Sequence, residues 1–120
     1  MVTTGGYSIE GPQDPFNPGP SFGDSPVGVR VIPLDVDRSK LRIDHFGYDH
    51  RFAEEDINVN LPLDRLSELV DKGELGALMG DSSVLMGLIP NVGPLIRETI
   101  PELVSRFEAE AVDLALLVPS

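Results

Sequence analysis

The sequence predicts an α/β domain: a mostly parallel sheet flanked by helices, preceded by an extended Pro/Gly-rich N-terminal arm. Three observations lead to that class. Helix-period stretches and strand-like apolar runs alternate through the second half of the chain. The last run, residues 112–119 (Val-Asp-Leu-Ala-Leu-Leu-Val-Pro), is almost continuously apolar, as strands buried on both faces of a parallel sheet are. Composition changes near residue 34: residues 1–33 hold six of the eleven Pro, six of the twelve Gly and only four charged groups.

The elements follow in chain order. Pro12, Pro15, Pro18, Pro20 and Pro26 exclude helix from the arm and interrupt any sheet ladder. Tyr7, Phe16 and Phe22 give the arm apolar anchors, so it reads as ordered, lying over its own domain or a neighbouring subunit. Residues 29–34 and 41–44 alternate apolar and polar and predict short strands. Residues 62–72 predict a helix: Pro62 suits the first turn, Asp64 sits at the positive end, and Gly73 follows the last turn. Leu63, Leu66, Leu69 and Val70 form its apolar stripe, and Glu68 and Lys72 are an i,i+4 pair. Residues 75–79 predict a buried strand and residues 80–83 a loop. A short helix over 92–98 is expected to pack at an angle on a second one. Thr99-Ile-Pro-Glu102 opens that second helix as a capping box, with Ile100, Leu103, Val104, Phe107 and Ala111 on one face. The predicted limits are 1–33 for the arm and 34–120 for the α/β domain. Open α/β sheets bind ligands at the carboxyl ends of their strands. Here that end is Val118-Pro119-Ser120, which predicts that another chain completes the fold.

Charge and composition exclude several functions. Nine Lys and Arg against twenty Asp and Glu give a net charge of −11 over 120 residues. Nucleic-acid backbones and anionic membrane surfaces both need clustered cation, so neither is an expected partner. The absence of Cys removes disulfides, thiolate metal sites and a thiol nucleophile. No basic and apolar leader opens the sequence, and the longest uncharged stretch, 82–96, is broken by Pro and Gly. A soluble cytoplasmic protein is expected. Gly-rich stretches match neither a P-loop nor G-x-G-x-x-G.

Both histidines fall in one stretch, His45-Phe-Gly-Tyr-Asp-His50, with Asp44, Glu54, Glu55, Asp56 and Asn58 close by. Proton transfer near neutral pH, or nitrogen ligation of a divalent metal, has only these two imidazoles to use. Three readings stand: a turn whose His and Asp satisfy backbone groups, a polar substrate pocket, or a metal site of His45, His50 and Asp56. Arg30 is a candidate clamp for a substrate carboxylate, or else an ion-pair partner. Arg65 reads as a structural ion-pair partner, and Met79 and Met86 as core filler.

An ordered set of short pieces runs from residue 23 to 119. It comprises Gly23-Asp24 followed by Arg30 and Ile32-Pro33, then His45 to His50, Asp56-Ile-Asn58 and Pro62-x-x-Arg65-Leu66-x-Glu68-Leu69-Val70. Gly73-x-Leu75-Gly76, Met86-Gly87, Val112-Asp113 and Leu116-Leu117-Val118-Pro119 follow. This set resembles the selenoprotein B family of the glycine, sarcosine, betaine and D-proline reductases. The resemblance implies a cytoplasmic α/β oxidoreductase that reduces a substrate C–N bond through a selenocysteine or cysteine segment, in some systems with a pyruvoyl-bearing partner subunit. In that family the redox segment follows the strand matching residues 116–119. This sequence has no thiol or selenol of its own, so the activity needs them from elsewhere.

The resulting expectation is one subunit of a heteromeric reductase-type enzyme. A second chain carries the redox segment, and a small amine- or carboxylate-bearing compound is the substrate. His45, His50 and Asp49 are the catalytic candidates, and Asp24, Arg30 and Asn58 the substrate-binding ones. His45, His50 and Asp56 are the candidates for a divalent metal. The alternatives are a metal-dependent enzyme on the same fold and a non-catalytic binding subunit.

Overall fold

The computed structural model describes residues 1–16 and 27–120. In chain order it contains β1 (Val2–Thr3), β2 (Tyr7–Ile9), β3 (Arg30–Pro33), β4 (Leu41–Ile43), α1 (Arg51–Glu55), α2 (Leu63–Asp71), β5 (Asp81–Val84), α3 (Val92–Pro94), α4 (Ile100–Ala109) and β6 (Leu117–Val118). A four-stranded mixed sheet has the order β3-β5-β1-β6. β1 runs parallel to both neighbours, with Val2 opposite Ser83 on one side and Leu117 on the other. β3 is antiparallel to β5, and β2 pairs antiparallel with β4, Tyr7 opposite Ile43. Two of the three pairings in the larger sheet are parallel and helices flank it, which makes the fold α/β.

Alternation along the strands separates the apolar side chains into two cores. Tyr7, Phe16, Ile32, Leu61, Leu63, Val84 and Met86 form the larger, and Val2, Leu85 and Leu103 form the smaller with Phe107 against it. Leu63 is the buried anchor of α2, and Gly73 ends that helix at φ 72°, where a side chain would be strained.

Several local expectations change. Val2–Thr3 and Tyr7–Ile9, read as part of the arm, are strands, and β1 lies inside the larger sheet. Tyr7 and Phe16 are the anchors they were expected to be, each buried in the larger core. Phe22 and Asp24 lie outside the described residues. Residues 75–79 form no strand; the polar run Asp81–Val84 does. Ladder bonds decide this, because β5 is paired on both sides and hydrophobicity is not required of it. Its Ser83 is buried and accepts a hydrogen bond from Arg106 Nη1 at 3.0 Å.

Thr99 does not cap a new helix. Asn91 caps one through the Gly93 N–H, and the chain continues from α3 through a π-helical stretch, Leu95–Thr99, into α4. The Thr99 hydroxyl instead donates to the Val27 carbonyl at 2.7 Å. Glu68 pairs with Arg65 at 2.6 Å rather than with Lys72. The last apolar run supplies a parallel strand, as expected, but at the sheet edge. Leu114 is 79% exposed and Leu117 70%, so this segment is not buried on both faces.

Candidate functional site

The end of β4 places the histidine stretch. The Asp44 N–H donates to the Gly6 carbonyl at 2.8 Å, which brings His45 against Gly6. Gly6 has φ 64°, and a Cβ there would lie 2.8 Å from the His45 Cβ, so only glycine suits the position. His45 is buried. Its Nδ1 accepts the Gly47 N–H at 2.9 Å, which leaves Nε2 as the protonated nitrogen of the neutral ring. Nε2 packs on Gly87, where a Cβ would come within 2.5 Å of it. Among the described residues this Nε2 has no hydrogen-bond partner.

Burial, and secondarily the neighbouring His50, lowers the His45 pKa below 6.5. The consequence for stability has a definite sign. Above the unfolded value both states are neutral and the native state is fully favoured. As pH falls through it, the unfolded chain takes up a proton that the folded chain refuses, until the lowered folded value is reached. Urea midpoints are expected to drop as pH falls through about 6.5, and to drop less in His45→Gln.

His50 precedes α1, and its Nε2–H donates to the His45 carbonyl, so Nδ1 keeps its lone pair in the neutral ring. The Tyr48 ring lies between the two imidazoles, 4.9 Å from each centroid. Its hydroxyl accepts from Asn60 Nδ2 at 2.9 Å and donates to the Gly5 carbonyl at 3.2 Å. The Tyr7 hydroxyl donates to Asn60 Oδ1, and Thr3 Oγ1 donates to the Asn60 carbonyl at 2.6 Å. The hydroxyls of Thr3, Tyr7 and Tyr48 each meet an acceptor. Burial raises the pKa of both phenols, with the adjacent Tyr48 adding to the effect on Tyr7, so both stay neutral.

His50 also lines a cleft of about 550 Å³ between β4 and α1, with Arg38, Arg42, Glu54 and Glu55 on its walls. The other candidates are engaged in local structure. Asp49 is exposed, caps the Arg51 N–H at 3.1 Å and pairs with the Arg51 guanidinium, which holds its carboxyl below the usual range. Asp56 accepts from the Asn58 backbone at 2.9 Å and its amide at 2.8 Å, and these bonds lower its pKa. Asn58 is further tied to Asp64 through both ends of its amide. Arg30 stacks over the Phe16 ring at 4.5 Å and donates to the Asp14 carbonyl at 2.8 Å. Among the described residues no three His, Asp or Glu groups come together as metal ligands, so His45, His50 and Asp56 do not converge.

Thus the structure joins His45 to His50, leaves Asp49, Asp56 and Asn58 in caps, turns and ion pairs, and stacks Arg30 on Phe16. Sequence reasoning missed Tyr48 and Asn60 as functional residues, took Tyr7 as an apolar anchor only, and did not single out Arg42. Tyr48 lies inside the histidine stretch and was there to be found. Asn60 carries no local signal, because its partners are Thr3, Tyr7 and Tyr48.

Fold and site define an α/β domain with a histidine–tyrosine cluster beside a polar cleft and no thiol of its own. The chain is 33% identical over 88 residues to the D-proline reductase subunit gamma of Acetoanaerobium sticklandii, a match that covers 73% of this chain and 36% of that subunit. It is therefore a distant relative of a reductase subunit and spans little more than a third of that relative's length. No protein-family model and no solved structure matches it. Among the described residues no helix is long and apolar enough to cross a membrane.

Proposed function

We propose that the chain is a subunit of a reductase complex related to the selenoprotein B group, and that it forms part of the pocket for a small amine- or carboxylate-bearing substrate. The similarity to D-proline reductase subunit gamma over 88 residues carries this reading. Reductive cleavage of a substrate C–N bond takes two electrons and two protons. The chain has no Cys, so a partner's dithiol or thiol–selenol pair supplies the electrons and closes to an S–S or S–Se bond. That chemistry needs a reducing compartment, which favours the cytoplasm.

His50 is the proton carrier for the departing nitrogen. The His45 carbonyl fixes its ring orientation, and His50 lines the cleft. His45, kept neutral by burial, holds that carbonyl in place and does not compete for the proton. The edge strand β6, with Leu114, Leu116 and Leu117 exposed beside it, supports docking of the second chain there. Intact-mass analysis of material co-purifying with the tagged chain from its own cells tests the reading. A thiol- or selenol-bearing partner is expected, in fractions that reduce D-proline at the expense of dithiothreitol. A chain that purifies alone, from an extract without that turnover, rejects it.

A further inference from the structure

We infer that an amphipathic α-helix with a basic end, supplied by a second protein chain, packs over β6 beside α4. Docking of a second chain at that edge is taken from the proposed function; the element that docks and the face it covers come from the geometry.

The sheet extends further than its helical cover. Leu103 of α4 packs with Val2 of β1 and with Leu85, which follows β5, so α4 lies over those two strands. Polar bonds on one side of α4 fix its orientation. Arg106 Nη1 donates to Ser83 Oγ at 3.0 Å, Arg106 Nη2 pairs with Asp81, and the Thr99 hydroxyl reaches the Val27 carbonyl at 2.7 Å. That side faces β5 and β3. A rotation of about 100° per residue puts Ile100 and Val104 on the other side of Leu103 from Arg106, toward β6. Both are exposed, Ile100 by 38% and Val104 by 47%. Leu117 stands opposite Val2 in the parallel register, so its side chain lies on the same face of the sheet as α4. It is 70% exposed. Ile100, Val104 and Leu117 thus border an apolar trough with β6 as its floor, left open among the described residues.

Geometry selects a helix as the occupant. Strands lie about 4.8 Å apart and a helix with its side chains is about 10 Å wide, so one helix covers two strands. α4 covers β5 and β1, and β6 needs the next helix. Parallel strands carry helices on their faces for this reason.

Charge selects a foreign chain over a second copy. The row of Ile100 and Val104 continues one turn further to Glu108, and Glu110 and Asp113 follow before β6. All three are exposed, and among the described residues none has an ion-pair partner. The C-terminal, negative end of α4 lies at the same place. A chain of net charge −11 repels its own copy, whereas a helix carrying Lys or Arg at that end is attracted. Such a helix buries its apolar row on Ile100, Val104 and Leu117 and sets its cations against the three carboxylates.

The isotope-labelled full chain is titrated by NMR with a synthetic amphipathic helix of about 18 residues, Leu on one face and Lys on the other. The peptide is expected to shift the amide signals of Val104 and Leu117. The same peptide with Glu in place of Lys is expected to bind at least tenfold more weakly. Val104 and Leu117 are exposed, so Val104→Asp/Leu117→Asp is expected to keep the amide spectrum of the rest of the chain while lowering affinity at least tenfold. Glu108→Gln/Glu110→Gln/Asp113→Asn leaves the apolar row intact and is expected to cost severalfold. Absence of shifts, shifts confined to other surfaces, equal binding of the two peptides, or undiminished affinity in the Asp variant overturns the inference. In material co-purified from its own cells, a photoreactive phenylalanine analogue at Val104 is expected to cross-link to partner residues spaced three or four apart. Cross-links to an extended segment, or to a second copy of this chain, overturn it as well. The two readings fail separately. A helical partner cross-linked here that bears no thiol or selenol rejects the reductase reading alone. A complex that reduces D-proline and keeps its partner in Val104→Asp/Leu117→Asp rejects this surface alone.

Discussion

Asn60→Ala is expected to lower the unfolding free energy by about 3 kcal/mol, read as a fall in the urea midpoint at unchanged slope. The side chain is buried, and its amide links the two phenols: Oδ1 takes the Tyr7 proton and Nδ2 serves the Tyr48 oxygen. Removing it leaves the Tyr7 hydroxyl buried without an acceptor, which alone costs about 1–3 kcal/mol, and it leaves a cavity beneath Tyr48. For a domain whose whole stability is about 5–15 kcal/mol this is a large fraction. Tyr7→Phe removes the stranded donor. The double variant should therefore be less destabilised than the sum of the two single ones. Strict additivity, or a loss below about 1 kcal/mol for Asn60→Ala, would show that the network does not hold the site together.

His50→Ala is expected to lower kcat of the proposed reductase complex by about 100- to 10,000-fold, the usual contribution of a positioned proton carrier. Little stability should be lost, because His50 is half-buried and, among the described residues, its ring makes one hydrogen bond, to the His45 carbonyl. Imidazole in the buffer should restore part of the rate, which a purely structural role would not allow. Asp49→Asn serves as the contrast. Asp49 is exposed and committed to Arg51, so the same assay should register little change. Wild-type kcat in His50→Ala would remove the acid–base role.

Much of the frame was legible because it depends on local pattern. The strands near 30–33 and 41–43 follow from alternation, and α2 follows from its stripe and the glycine after it. The histidine stretch was identifiable because two imidazoles so close in sequence must stay close in space. Other features had no local cause. β5 is a strand of Asp and Ser followed by Val, and its place between β1 and β3 comes from partners distant in the chain. Thr99 has the sequence of a cap, yet the helix had already started at Asn91, so its hydroxyl was free to tie down Val27.

The substrate-side candidates show the same division. Arg30 and Asn58 were singled out for their chemical type, but type does not reveal whether a group is already used. Arg30 is taken by Phe16 and Asp14, and Asn58 by Asp56 and Asp64. Arg42 looked like an ordinary strand residue, and only the meeting of β2 with β4 sets it beside Ser8 and Asp44. By itself the sequence determined the α/β class, the acidic and thiol-free character and the pairing of His45 with His50, because composition and short-range periodicity do not depend on distant contacts. Only the tertiary structure decided that β1 lies inside the sheet, that Asn60 joins Tyr7 to Tyr48, and which charged groups remain available to a ligand. Those outcomes depend on hydrogen-bond partners brought together by folding, which no local stretch of residues encodes.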